Sequence, residues 1–184
     1  NDQSVEVAVR RLTIQAIDRF GYTCQLVAYF ANYDRVQEWT KRTTARGGSQ
    51  NKAVVLQVNG HFGSNPTRLG FGLEDRGGYS GAALGKIAMR GVPLITYDDH
   101  DVGESDDTPG PHRENGLFRT LCNLRMLDQA LLTHFDAVDA FGLSGGTERL
   151  YHFLMFHDCK LRSAYLAGFY SPLWMPLDSK EYSG

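Results

Sequence analysis

The sequence predicts an α/β fold: a mostly parallel sheet with an N-terminal antiparallel hairpin and helices on both faces. Alternating apolar and polar residues over 5–17 and 22–30 indicate two strands joined by a turn. Four short apolar runs then alternate with helical segments, which is the pattern of βαβ crossovers in a parallel sheet. The 184 residues are enough for one domain with a sizeable core.

After the hairpin, a polar stretch over 31–52 predicts a surface excursion with at most a short helix. Apolar runs rich in β-branched residues then predict buried strands at 53–58, 92–97, 137–142 and 162–170. Helices are predicted at 77–91, where Gly91 closes the segment, at 115–135, where apolar residues recur at helical spacing, and at 147–158. With the hairpin, six strands are expected.

Composition excludes several classes of function. The 19 Lys and Arg nearly balance the 21 Asp and Glu, and no long basic run is present, so we expect no nucleic-acid partner. No apolar run approaches the roughly 18 residues of a membrane span, so we expect no membrane partner. The three cysteines fit neither a disulfide framework nor a zinc motif. His152 and His157 are five residues apart instead of the four of a helical zinc pair, and "GLSGGTE" lacks the lysine of a phosphate-binding loop, so we expect no metal and no cofactor.

Ser144 lies in the sequence Gly-Leu-Ser-Gly-Gly, between the third buried strand and the helix that follows it. The G-x-S-x-G pattern is common by chance, but the nucleophile elbow of a serine hydrolase needs this strand, tight turn and helix. Side chains two residues on either side of the serine would collide with the neighbouring strand and helix, which explains the glycines. An ordinary Gly-Ser-Gly turn is the alternative.

Three motifs together resemble the α/β-hydrolase fold superfamily, in particular acetyl xylan esterase-like and dienelactone hydrolase-like serine esterases. "VNGHFGS" follows the third strand, where the family usually has His-Gly and small residues, and "DHDVGES" resembles the family's D-x-G-x-G-x-S loop after the fourth strand. The elbow "GLSGG" is the third motif, and the resemblance covers about residues 12–170. Asn59 replaces the usual His, and Asp101 stands where Gly is common.

The resemblance implies a role for each matching residue. Ser144 would attack an acyl carbonyl, and the backbone N–H of Gly145 would be one donor of the oxyanion hole. The other donor would be the N–H of His61, with Phe62 next to it. The implied activity is hydrolysis of a small-molecule carboxylic ester through an acyl-enzyme. A serine peptidase or amidase of the same fold, and a non-catalytic hydrolase-fold binding protein, are the alternatives.

A serine nucleophile also needs a histidine base and a carboxylate, which in this fold follow it in the order acid, then histidine. Four histidines precede Ser144, and His152 and His157 lie on its own helix, so none is well placed. Asp178 is a possible acid, although a solvated loop aspartate is the simpler interpretation. We therefore expect residues 1–184 to be one α/β-hydrolase domain, incomplete at its C-terminal end. A C-terminal segment or a second chain would supply the His and Asp.

Overall fold

The structure, a computed structural model of the 184-residue chain, describes a sheet and the helices beside it. The residues that it describes are 7–17, 23–45, 52–58, 86–98, 105, 116–143, 145–156, 158–159 and 161–168. Four residues for which a role was predicted, Ser144, His61, Phe62 and Asp178, lie outside these ranges.

The described residues form one six-stranded mixed sheet. Its strands are β1 (Val9–Ile17), β2 (Thr23–Ala31), β3 (Ala53–Val58), β4 (Leu94–Tyr97), β5 (Ala137–Leu143) and β6 (Ser163–Ala167). Their order across the sheet is β1-β2-β4-β3-β5-β6. The β1–β2 and β2–β4 pairs are antiparallel, and the other three pairs are parallel. The predicted mostly parallel sheet with an N-terminal antiparallel hairpin is confirmed.

Helices lie on both faces of this sheet. They are α1 (Val36–Ala45), α2 (Gly116–Leu132) and α3 (Gly145–Phe156), with further helical residues at 86–89. Leu56 of β3 belongs to a large core cluster with Leu124 of α2 and Leu150 of α3. Val55 instead packs against a smaller cluster that contains Ala88. Because successive side chains of a strand point to opposite faces, α2 and α3 cover one face and residues 86–89 the other.

The central strands are buried as their apolar runs predicted. Val54 and Val58 of β3 and Leu94 and Ile95 of β4 are fully buried. Gly91, which was predicted to close the helical segment before β4, has a φ of 74°. Its N–H donates to the carbonyl of Ala88 at 2.9 Å. This left-handed conformation favours glycine, so the predicted end of the helix is confirmed.

The predicted burial of the sixth strand is wrong. Residues 163–165 of β6 are exposed, and Tyr165 retains 68% of its accessible surface. An apolar run is typical of a strand covered on both faces, but β6 is the outermost strand of the described sheet and pairs with β5 alone. The apolar composition of β6 is therefore typical of a buried strand, but the described part of the chain does not cover residues 163–165.

Asn32 joins the hairpin to the rest of the sheet. It follows β2 in a left-handed conformation, with φ 56° and ψ 36°, and is 1% exposed. Its Nδ2 donates to the carbonyls of Ala88, at 2.7 Å, and Val92, at 2.9 Å. One side chain thus satisfies two carbonyls between the helical segment and β4.

We expect Asn32→Ala to lower the free energy of unfolding by about 3 kcal/mol. Alanine loses both hydrogen bonds, worth about 1 kcal/mol each, and pays about 1 kcal/mol more for the left-handed backbone. Asn32→Gly loses the same bonds but accepts the backbone conformation, so its loss should be smaller. Urea unfolding of the three proteins measures the difference, and an equal loss in both variants would contradict the backbone contribution.

A carboxylate links the amino-terminal parts of β5 and β6. Asp139 accepts hydrogen bonds from Nε of Arg162, at 3.0 Å, from the Nη2 of the same guanidinium, and from Oγ of Ser163, at 2.6 Å. Burial alone would raise the pKa of Asp139. The hydrogen bonds from Arg162 and Ser163, with the attraction of the guanidinium charge, outweigh burial and hold the pKa below its ordinary value of 3.8.

This direction gives a stability contribution that depends on pH. Because the pKa of Asp139 is lower in the folded than in the unfolded chain, the ionised carboxylate stabilises the fold above about pH 4, and this stabilisation is lost as pH falls through the folded-state pKa. We expect Asp139→Asn to lower the urea midpoint at pH 7 and to approach wild type as the pH is lowered below 4. A difference that stays constant from pH 7 to pH 3 would contradict this assignment.

Candidate active site

The candidate site lies at the carboxyl edge of the parallel strands. β3, β4 and β5 run in the same direction and end at Val58, Tyr97 and Leu143. In open α/β sheets, ligands bind beyond this edge. β5 ends at Leu143 and α3 begins at Gly145, so Ser144 alone joins strand to helix in the chain. The order of elements that a nucleophile elbow needs is therefore present.

Gly142 brings the end of β5 into contact with the start of α3. A Cβ atom at Gly142 would lie 2.3 Å from the carbonyl oxygen of Gly146, 2.5 Å from its carbonyl carbon and 2.6 Å from the nitrogen of Thr147. These are backbone atoms, so no side-chain rotation can relieve the overlap. The close approach therefore requires glycine at 142, as the collision argument from the sequence predicted.

Thr147 ties this junction to the neighbouring strand. Its Oγ1 lies 2.8 Å from the carbonyl oxygen of Gly142, in β5, and 2.5 Å from that of Ala167, the last residue of β6. Thr147 is fully buried. The hydroxyl therefore joins the first turn of α3 to the ends of two parallel strands.

Gly145, the predicted oxyanion donor, is the first residue of α3 and is buried. The first N–H groups of a helix have no partner within it, and the helix dipole makes this end favourable for negative charge. A negatively charged oxygen beside the turn would therefore be stabilised. The predicted second donor, at His61 and Phe62, lies outside the described residues.

A buried polar cluster stands where β4 ends. Asp98 is fully buried, and its Oδ2 accepts a hydrogen bond from the hydroxyl of Tyr29 at 3.2 Å. The hydroxyl of Ser105 donates to the Asp98 carbonyl at 2.7 Å and accepts from the N–H of Val27 at 2.9 Å. Of the motif "DHDVGES", Ser105 is the residue that the structure describes. It holds the far end of this loop against β2 and β4.

Gln57 is a second buried polar residue at this edge. It lies in β3 opposite Phe141 of β5 and is fully buried, and among the described residues neither its Nε2 nor its Oε1 has a hydrogen-bond partner. An unsatisfied buried amide costs roughly 1–3 kcal/mol. Gln57, Asp98 and Thr147 were not predicted from the sequence as residues of the site. A polar residue within or directly after an apolar run was the available signal for Gln57 and Asp98.

Neither described histidine is placed to activate Ser144. His134 lies in the turn between α2 and β5, at the opposite end of β5 from the serine. His152 lies seven residues into α3 from Gly145, about 10 Å along the axis, and its Nδ1 is 2.9 Å from the Glu148 carbonyl oxygen of the same helix. His61, His100, His112, His157 and the possible acid Asp178 lie outside the described residues.

Among the described residues, no three His, Cys, Asp or Glu side chains come together as possible metal ligands. Within the same ranges, no helix has the length and apolar character needed to cross a membrane.

Comparison with known proteins gives matches among solved structures. The chain is similar to a proposed hydrolase from Agrobacterium vitis S4, with 16% identity, a TM-score of 0.53 and 94% of this chain covered. It is also similar to a proposed aryl esterase from Burkholderia cenocepacia, with 18% identity, a TM-score of 0.51 and 84% of this chain covered. A third similar structure is the epoxide hydrolase VrEH1 from Vigna radiata, with 11% identity, a TM-score of 0.50 and 89% of this chain covered. No family model matches the sequence, and no curated protein matches it significantly.

The chain spans 57%, 45% and 39% of the lengths of these three proteins, respectively. Sequence identities of 11–18% make this a likeness of fold, since unrelated activities occur on one fold. The strand order, the parallel register and the helices on both faces agree with it. The chain therefore has the α/β-hydrolase fold.

Proposed function

We propose that this chain carries the nucleophile of a serine hydrolase that cleaves a carboxylic ester through an acyl-enzyme on Ser144. The observation that supports it most is the contact of Gly142 with the backbone of Gly146, on either side of the serine. Such a contact brings the strand and the helix close together on either side of one residue. In a nucleophile elbow, this sharp turn exposes the side chain of the nucleophile at the edge of the sheet. The similar fold of a proposed aryl esterase is consistent with it.

The chemistry assigns a role to each predicted residue. As the Ser144 hydroxyl gives its proton to the histidine base, its oxygen bonds to the ester carbonyl carbon, and the carbonyl π electrons move onto the carbonyl oxygen. The N–H of Gly145 and a second donor, the N–H of His61 beside Phe62, stabilise that oxyanion, at about 3–4 kcal/mol per donor. Collapse expels the alcohol, which takes that proton from the histidine. Water then gives a proton to the histidine and attacks the acyl-enzyme, which releases the carboxylic acid as Ser144 regains the proton.

In this proposal the histidine base comes from sequence after residue 184 or from a second chain, and the acid either comes from the same source or is Asp178. Two observations support this. His134 lies at the end of β5 opposite Ser144, and His152 lies two turns along α3, so neither is placed to take a proton from Ser144. The chain also spans 39–57% of the solved structures compared above, so those proteins have room for such residues.

Labelling with a fluorophosphonate tests the proposal, because this reagent phosphonylates an activated serine. We expect the protein, with all the sequence that its gene encodes, to be labelled at Ser144, as located by peptide mass spectrometry. Ser163→Ala, at the amino end of β6, should be labelled like wild type and Ser144→Ala should not. Folded wild-type protein that takes up no label would rule the proposal out.

The leaving group is tested separately. We expect hydrolysis of p-nitrophenyl acetate and little or none of a matched p-nitroanilide, with both rates lost in Ser144→Ala. Faster cleavage of the anilide would favour a peptidase or amidase. Labelling without turnover of either substrate would favour a protein that binds acyl compounds.

A further inference from the structure

The contacts of Thr147 differ from those of an ordinary helical threonine. In a helix, a threonine hydroxyl usually bonds to the carbonyl four residues earlier in the same helix, as Thr40 does to Val36 in α1 at 2.9 Å. The hydroxyl of Thr147 instead lies within reach of two carbonyls that belong to strands, Gly142 and Ala167. One O–H has one proton, so the two oxygens share it.

The two carbonyls lie near the carboxyl ends of β5 and β6, on the side of the sheet where the candidate site is. Gly142 is two residues before Ser144, and its backbone already touches Gly146. Ala167 ends β6, and the next residue, Gly168, has a left-handed φ of 72°. Thr147 and Gly142 are both buried, so water cannot replace the hydroxyl as a donor to the Gly142 carbonyl.

We propose that Thr147 is a positioning residue for Ser144. Its hydroxyl holds the first turn of α3 against the ends of β5 and β6, and this fixes the direction in which the serine oxygen and the Gly145 N–H are presented. The inference rests on the proposed function, since it needs a reacting serine at 144. It adds a residue that touches no substrate and acts through the carbonyl of Gly142.

The physical effect of removing the hydroxyl follows from this geometry. Thr147→Val keeps the shape of the side chain but removes the donor to the Gly142 and Ala167 carbonyls, so the first turn of α3 is no longer tied to the ends of β5 and β6 and can shift away from them. A displacement of about 1 Å at a reacting group can cost on the order of 10²-fold in rate. Because Thr147 touches no substrate in this proposal, we expect substrate binding to change little.

The test compares Thr147→Val with Thr147→Ser, which keeps the hydroxyl. We expect Thr147→Val to lower kcat for p-nitrophenyl acetate by roughly 10- to 100-fold with KM within about 2-fold. The rate of fluorophosphonate labelling at Ser144 should fall by the same factor. Thr147→Ser should recover most of both rates. Should the valine variant not fold, Thr147→Cys, which has a weak donor of similar size, takes its place and should fall between the two.

Ser163→Ala is the matched control. It removes a hydroxyl bond between the same two strands, from Ser163 to Asp139, four residues or about 13 Å from the elbow end of β6. This variant should change the urea midpoint without changing kcat or the labelling rate. Equal kcat in wild type and Thr147→Val would overturn the inference, as would a serine variant as slow as the valine variant. Failure of the proposed function is distinct, because wild-type Ser144 would then not be labelled at all.

Discussion

Ser144→Ala is expected to reduce kcat for ester hydrolysis by roughly 10⁴- to 10⁶-fold, the range found when a serine hydrolase loses its nucleophile. Without the Ser144 oxygen no acyl-enzyme forms, and the remaining rate comes from direct attack by water on an ester held in the site. KM should change little, because the alanine side chain leaves the rest of the site in place. Steady-state kinetics with p-nitrophenyl acetate measures both constants.

The result has meaning only if the variant is folded. Serine and alanine differ by one oxygen atom, so the urea midpoint of Ser144→Ala should lie close to that of wild type. A folded Ser144→Ala protein that retains a tenth or more of wild-type kcat would contradict the assignment of Ser144 as nucleophile. Ser163→Ala, in the same sheet, separates this effect from a general response to loss of a serine.

Gly142→Ala is expected to destabilise the fold by more than about 4 kcal/mol. The added methyl group would lie 2.3–2.6 Å from backbone atoms of Gly146 and Thr147, so relief requires the start of α3 to move away from β5. That movement would also separate the Thr147 hydroxyl from the Gly142 carbonyl. The urea midpoint and the yield of folded protein measure the effect.

Gly91→Ala provides the comparison, because the same substitution meets a different obstacle there. Gly91 has a φ of 74°, which costs alanine roughly 1–2 kcal/mol. The nearest atom to a new Cβ is Nη1 of Arg35, at 3.0 Å, the end of a flexible side chain that can move. We expect Gly142→Ala to be clearly the more harmful. If both variants lost the same stability, the close packing at the elbow would not be the cause.

The fold could be predicted from local pattern because each element obeys a short-range rule. The run Ala53–Val58 was predicted with the bounds that the structure gives, since a short β-branched run between a polar stretch and a glycine-rich loop leaves few alternatives. The alternation of strands and helices then indicated a parallel sheet. Glycine at 142 followed from the elbow, where local sequence determines the packing.

The remaining features depend on residues far apart in the chain. Thr147 meets Ala167 twenty positions later, and Asp139 meets Arg162 twenty-three positions later, so no local pattern predicts either contact. The left-handed Asn32 is fixed by carbonyls of Ala88 and Val92, which lie beyond α1 and β3. The exposure of Tyr165 was missed because an apolar run does not reveal which strands lie beside it.

The strand order also has a consequence for how the chain folds. β1 and β2 are neighbours in sequence and pair over nine residues, so this hairpin can form early from local contacts. Its attachment to β4 pairs Ala28 with Tyr97 and Ala31 with Leu94, which requires the closure of a loop of more than 60 residues. Loop closure of this kind lowers the folding rate. The parallel pairing of β3 with β5, which joins Ala53 to Ala137, closes a still longer stretch of chain, so we expect the hairpin to dock on β4 before β5 joins the sheet.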